Sequence, residues 1–100
     1  MRVEKLDNMV RGWFVGDFTP TMYRTGDVEV GVKRYKAADY DEWHYHKIAT
    51  EITVIIQGDV EMNGRRYTAG EITRLSVYAR SSVYQIAPTW PMPATLLMIL

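Results

Sequence analysis

The sequence predicts an all-β domain, a sandwich or closed barrel built from short strands, on three observations. Apolar and polar residues alternate with a period of two in several short runs, most clearly Val28 to Val32 and Glu51 to Gln57. Turn residues punctuate those runs: Thr25-Gly26-Asp27, Gly58-Asp59, Asn63-Gly64 and Ala69-Gly70. No segment carries a convincing helical period, a solenoid repeat or a low-complexity tract. Many short strands between turns close only as two packed sheets or a barrel.

The totals bound the function. A chain of 100 residues is expected to form one domain, residues 1–100, around a single core. Twelve Lys and Arg balance twelve Asp and Glu, so no global field draws in nucleic acid or an anionic membrane. The absence of cysteine excludes a disulfide framework, a thiolate metal site and a cysteine nucleophile. No apolar run approaches the roughly 18 residues of a membrane span. The start, MRVEKLDNMVRGW, lacks the apolar core of a signal peptide. A soluble, cytoplasmic protein is the expectation.

Taken in order, Val3, Leu6, Met9 and Val10 share one face if the start is a short helix, and an extended lead-in is equally allowed. Trp13, Phe14, Val15 and Phe18, bounded by Gly12, Gly16 and Pro20, read as a short strand and a corner. Val28, Val30 and Val32 then form the apolar face of a half-buried strand. Gly31 marks a bend or a close backbone approach. Arg34 continues the valine face, which puts it at the end of the core near a cavity mouth, with its head snorkelling to solvent as the other reading. Further on, Val60 and Met62 alternate with Asp59 and Glu61 up to Asn63-Gly64, a strong hairpin signal because both turn residues must take positive φ. Tyr67 closes that hairpin. Ile72, Leu75 and Val77 carry the next strand, and Val83, Tyr84 and Ile86 another. The three prolines between Ala87 and Pro93 rule out regular sheet interior there, so this segment is a loop or an edge. The chain closes on a last strand, ATLLMIL.

The chemistry concentrates in EWHYHKIATEITVIIQG, from Glu42 to Gly58. In a strand, residues i and i+2 share a face, so His44 and His46 project together and Tyr45 points away. Past a loop from Lys47 to Thr50, alternation puts Glu51, Thr53, Ile55 and Gln57 on one face and Ile52, Val54 and Ile56 on the other. If the first face shares a cavity with the histidines, two imidazoles and one carboxylate meet at one point. That set suits a divalent transition metal with open coordination positions: Fe, Mn, Ni, Co or Zn.

These residues resemble the first motif of the cupins, HxH followed by Glu and then by Gly. His44-Tyr45-His46, Glu51 and Gly58 match it, with four residues between His46 and Glu51 and six between Glu51 and Gly58. The Asn63-Gly64 hairpin and the Ala69-Gly70-Glu71-Ile72 turn are similar to the link between the two cupin motifs. The resemblance covers roughly Val28 to Ile86 and implies a double-stranded β-helix, a jelly-roll barrel whose cavity holds a metal or a small ligand. It also implies a homodimer, and Ile52, Val54 and Ile56, too apolar to be left in water, are where a second sheet or a partner subunit is expected. Two features depart from the pattern. Ala38 stands where the first motif opens with glycine, and the second motif falls on Ser76, Tyr78, Ser81 and Gln85, without its histidine. The chain has two histidines in all, so the usual four-ligand site cannot form.

The expected metal ligands are therefore His44, His46 and Glu51. Gln85, Tyr84 and Ser81 are candidates for a weak fourth contact or a supporting hydrogen bond, and Arg34 and Gln57 for the cavity wall. Tyr35, Tyr45, Tyr78 and Tyr84 read as strand residues with a polar tip, or as ligand contacts. Trp43 reads as packing or a dimer contact. Two functions stay open. One is a metal-dependent isomerase, epimerase or oxygenase acting on a polar small molecule. The other is a non-catalytic module that binds a sugar or other small ligand in the same cavity without metal.

Overall fold

The computed structural model describes residues 1–36, 50–76, 85–86 and 94–100. Their strands are β1 (Trp13–Val15), β2 (Val30–Tyr35), β3 (Glu51–Gln57), β4 (Asp59–Met62), β5 (Arg65–Thr68), β6 (Ile72–Leu75), β7 (Gln85–Ile86) and β8 (Ala94–Ile99). They form two sheets, one ordered β1-β2-β8-β3-β6 and the other β5-β4-β7. Every strand pairing within them is antiparallel. Two 3₁₀ turns, Leu6–Asn8 and Val10–Gly12, lead into β1. Among the described residues no helix is long and apolar enough to cross a membrane, which says nothing about a β-barrel crossing.

The core lies where the two sheets face each other. Tyr35, Ile55, Ala94, Leu96 and Met98 from the larger sheet meet Val60 and Met62 from the smaller, with Trp13 and Tyr67 packed at the margin. Strand β8 explains why its run ATLLMI is apolar almost throughout. It pairs on both sides, with β2 and with β3, and its alternate residues Ala94, Leu96 and Met98 are buried while Thr95, Leu97 and Ile99 are half-buried. A central strand needs apolar side chains on the inner face and gains β-branched or aliphatic neighbours on the outer one. The register supplies them, since Leu97 sits between Val32 and Val54, and Ile99 between Val30 and Ile52.

The Asn63-Gly64 hairpin forms as the sequence predicts. Asp59 pairs with Thr68 and Met62 with Arg65, and Asn63 and Gly64 take φ of 52° and 76°. These are the positive angles that a two-residue turn needs to match the strands' twist.

Strand β2 departs from the expectation. The valines do not make its core face: Val30 and Val32 are half-buried, whereas Gly31 and Tyr35 are buried and Arg34 is exposed. Pairing with β8 shows why, because Gly31, Lys33 and Tyr35 stand opposite the buried Met98, Leu96 and Ala94. The space that Gly31 leaves on the inner face is filled from β1. Trp13 pairs with Gly31, and a Cβ added at Gly31 would lie 2.7 Å from Trp13 Cε3. The indole in turn receives Lys33, whose Nζ lies 5.6 Å from the ring centroid, so a cation is accommodated at the core's margin.

One smaller expectation also changes. Of Val3, Leu6, Met9 and Val10, only Met9 is buried, and Arg11 at φ 53° interrupts the turns before an amphipathic helix can form. Ile72 pairs with the outward Val54 and is 68% exposed, so Thr73 and Leu75, opposite Thr53 and Glu51, carry the inner face of β6.

Candidate functional site

The geometry of the site rests on β3. Its residues alternate as the sequence requires: Glu51, Thr53 and Ile55 are buried, Gln57 is half-buried, and Ile52 and Ile56 are exposed. A register shift against β8 between Ile55 and Gln57 ends the regular part of the strand. With β8 on one side and β6 on the other, β3 is held by backbone ladders along both edges, so the positions of Glu51 and Thr53 are fixed by the sheet itself.

Glu51 is 1% exposed and Thr53 is 0% exposed. The Thr53 Oγ1 donates a hydrogen bond to Glu51 Oε1 at 3.1 Å. These two are the buried polar side chains among the described residues; the surrounding core is aliphatic and aromatic. Taking a carboxylate out of water costs several kcal/mol unless a charge, a metal or hydrogen bonds compensate it. Its donor chemistry, an oxygen anion on a rigid strand, fits a hard or borderline divalent cation. Across the sheet, Thr73 stands directly opposite Thr53 and Leu75 opposite Glu51.

His44, His46, Ser81 and Tyr84 lie outside the described residues. Among those that are described, no group of three His, Asp or Glu side chains comes together. Gln85 belongs to β7 and pairs with Glu61, one residue before the pair Ile86–Val60. Gln57 sits at the half-buried end of β3. Arg34 carries its head to solvent, in keeping with the snorkelling reading: its side chain is 63% exposed and pairs with Asp7, 3.4 Å away. The inner-face cation of β2 is its neighbour Lys33, which the sequence reading passed over because the valines gave the face the wrong parity. Thr53, the hydrogen-bond donor to Glu51, was also missed as a site residue. The available signal for Thr53 was its place two residues after Glu51 on the same strand face.

No protein-family model and no curated protein matches the sequence. Solved structures match it at the level of fold. An uncharacterized conserved protein with a double-stranded β-helix domain from Klebsiella pneumoniae is 18% identical, with a TM-score of 0.70 over 99% of this chain and 88% of that one. A cupin protein from Bacteroides fragilis is 22% identical, with a TM-score of 0.60 over 72% of this chain and 63% of that one. Oxalate decarboxylase from Bacillus subtilis, described with Mn(II) centres, is 18% identical at a TM-score of 0.61; the match covers 73% of this chain and 21% of the decarboxylase. The fold is thus the cupin-type jelly roll, a double-stranded β-helix, which the spacing of His44, His46, Glu51 and Gly58 had implied.

Proposed function

We propose that the protein is a small metal-dependent cupin that acts on a polar small molecule such as a sugar or an organic acid. His44, His46 and Glu51 hold the metal, which is one of Fe, Mn, Ni, Co and Zn. The observation that carries this reading is the Glu51 carboxylate, buried at 1% exposure on the inner face of a central strand with Thr53 donating to it. A carboxylate oxygen held on a rigid strand is a suitable donor for a divalent cation. The Mn(II) centres of a structural neighbour support the same reading. A bound divalent ion supplies Lewis-acid polarisation of a carbonyl or hydroxyl, or a site for O₂ activation. Three protein ligands leave coordination positions for a substrate oxygen. The chain's own part is to hold the ion through Glu51 and the histidine pair and to exclude bulk water with the aliphatic core. Gln85, Tyr84, Ser81 and Gln57 are the polar groups proposed to meet the ligand. The reaction class is isomerisation, epimerisation or oxygenation.

One observation favours the second reading. With two histidines in the whole chain and Ser81 where a cupin's second motif has its histidine, the site has one imidazole fewer than the family pattern. A module that holds a small ligand without metal would need no replacement for it.

Elemental analysis of the purified protein, beside a His44→Ala/His46→Ala variant, separates the two. Near-stoichiometric metal that is lost in the variant supports the metalloprotein. A wild-type protein that stays metal-free after incubation with Fe(II), Mn(II), Co(II), Ni(II) and Zn(II) leaves the binding module.

We also propose that the protein acts as a homodimer in the cytoplasm. Ile52, Ile56 and Ile72 support the dimer, because all three are exposed on β3 and β6 and a partner's apolar surface would cover them. Sedimentation equilibrium tests it. A dimer that becomes monomeric on Ile56→Lys and Ile72→Lys is the expected result, and a monomeric wild type overturns it.

A further inference from the structure

We propose that Asn63 is a site of spontaneous covalent modification. Through a cyclic imide formed with the Gly64 backbone nitrogen, its side-chain amide is lost and the residue becomes aspartate or isoaspartate. No metal, cavity or bound ligand enters the reaction, so it stands independently of the function proposed above.

The chain contains two asparagines, Asn8 and Asn63, and the structure separates them. Cyclisation needs the backbone nitrogen of the following residue to reach the asparagine Cγ. That nitrogen must be released from other bonds and uncrowded by its own side chain. After Asn63 stands Gly64, exposed and with no atom within 4 Å of the place a Cβ would occupy. The hydrogen bond that closes a two-residue turn joins the residues on either side of it, here Met62 and Arg65, and leaves the Gly64 N–H outside the ladder. Asn63 is itself exposed at the tip of the β4–β5 hairpin, and loop tips open locally at little cost in free energy. After Asn8 stands Met9, which is 7% exposed and whose N–H donates to the Leu6 carbonyl oxygen at 2.9 Å. The same attack there requires a buried side chain to be withdrawn and a hydrogen bond to be broken.

The reaction balances with water as its co-reactant. The Gly64 nitrogen gives up its proton to solvent and bonds to Asn63 Cγ. The Cγ–Nδ2 bond breaks, and ammonia leaves after taking a proton from solvent. Water then opens the ring. Attack at Cγ gives aspartate; attack at the main-chain carbonyl carbon of residue 63 gives isoaspartate, whose backbone runs through the former side chain and is longer by a methylene.

The two products differ in what they do to the fold. Aspartate before glycine suits the same turn, because it also accepts positive φ. Isoaspartate changes the length of a loop whose length sets the register. That register pairs Met62 with Arg65 and Val60 with Tyr67, and Val60 and Met62 belong to the core.

The test holds the purified full chain in mildly alkaline buffer at physiological temperature, beside Asn63→Gln and Asn63→Asp variants. Peptide mapping by mass spectrometry follows both asparagines, chromatography separates aspartyl from isoaspartyl peptides, and circular dichroism melting follows the fold. In folded wild type, the Asn63 peptide is expected to gain the mass of an amide-to-acid exchange in both product forms, with ammonia released in step and the Asn8 peptide unchanged. Asn63→Gln, whose imide ring would be larger and less readily closed, is expected to lose the signal. Asn63→Asp is expected to melt near wild type, and the isoaspartyl fraction, isolated by ion exchange, at a lower temperature.

A folded protein that keeps the Asn63 amide while the urea-unfolded chain loses it overturns the proposal. So does an Asn8 that reacts as fast as Asn63, a comparison made within wild type and independent of how the variants fold. An isoaspartyl fraction as stable as wild type overturns the stated effect on the hairpin.

Discussion

Gly31→Ala is expected to destabilise the protein by about 1–2 kcal/mol, although alanine normally gains over glycine in a strand. Two effects oppose each other. At a backbone conformation open to any residue, replacing glycine restricts the unfolded chain and stabilises by about 0.4–1 kcal/mol. Against this, the new Cβ would lie 2.7 Å and 2.8 Å from Trp13 Cε3 and Cδ2, and 3.2 Å from the Gly12 carbonyl oxygen. Relief requires the indole to move, and with it the ring that packs on the core and receives Lys33. Overpacking of this kind typically costs about 1–3 kcal/mol, so the clash wins. In a domain of this size the loss corresponds to a fall in Tm of roughly 4–8 °C per kcal/mol. Thermal and urea unfolding of wild type, Gly31→Ala, Trp13→Ala and the double variant form the assay. In the Trp13→Ala background the alanine should be close to neutral or stabilising, giving a coupling of about 1 kcal/mol or more. A Gly31→Ala protein as stable as wild type, or an equal cost with and without Trp13, refutes the reasoning.

Two further substitutions read other parts of the account. Gly64→Ala meets no atom within 4 Å but must hold φ near 76°, so only the left-handed backbone cost, about 1–2 kcal/mol, should appear in urea unfolding. Arg34→Ala removes an ion pair whose side chains are 63% and 86% exposed. It should change stability by under about 1 kcal/mol and leave Mn(II) affinity, followed by calorimetry, as in wild type.

The sequence was most legible where one local rule acted without competition. Asn63-Gly64 is such a case, because few other residues accept consecutive positive φ. The face of β3 that carries Glu51, Thr53 and Ile55 is another, since a polar residue among isoleucines fixes the parity whichever sheet covers it. Strand β2 was misread for an identifiable reason. Its inner face holds Gly31, Lys33 and Tyr35, and only contact with a distant aromatic, Trp13, makes a glycine and a lysine suitable there. That contact is tertiary and leaves no trace in the local alternation. Of the proposed site, Glu51 could be placed from alternation alone, with Thr53 two residues on along the same face.

The most direct test of the central claim is anomalous diffraction at the zinc edge from crystals of the protein grown with Zn(II). The account predicts one strong peak bonded to a Glu51 carboxylate oxygen and to the imidazoles of His44 and His46, at about 2.0–2.2 Å from each. A structure in which Zn(II) is bound elsewhere, or in which His44 and His46 do not converge on Glu51, would contradict it.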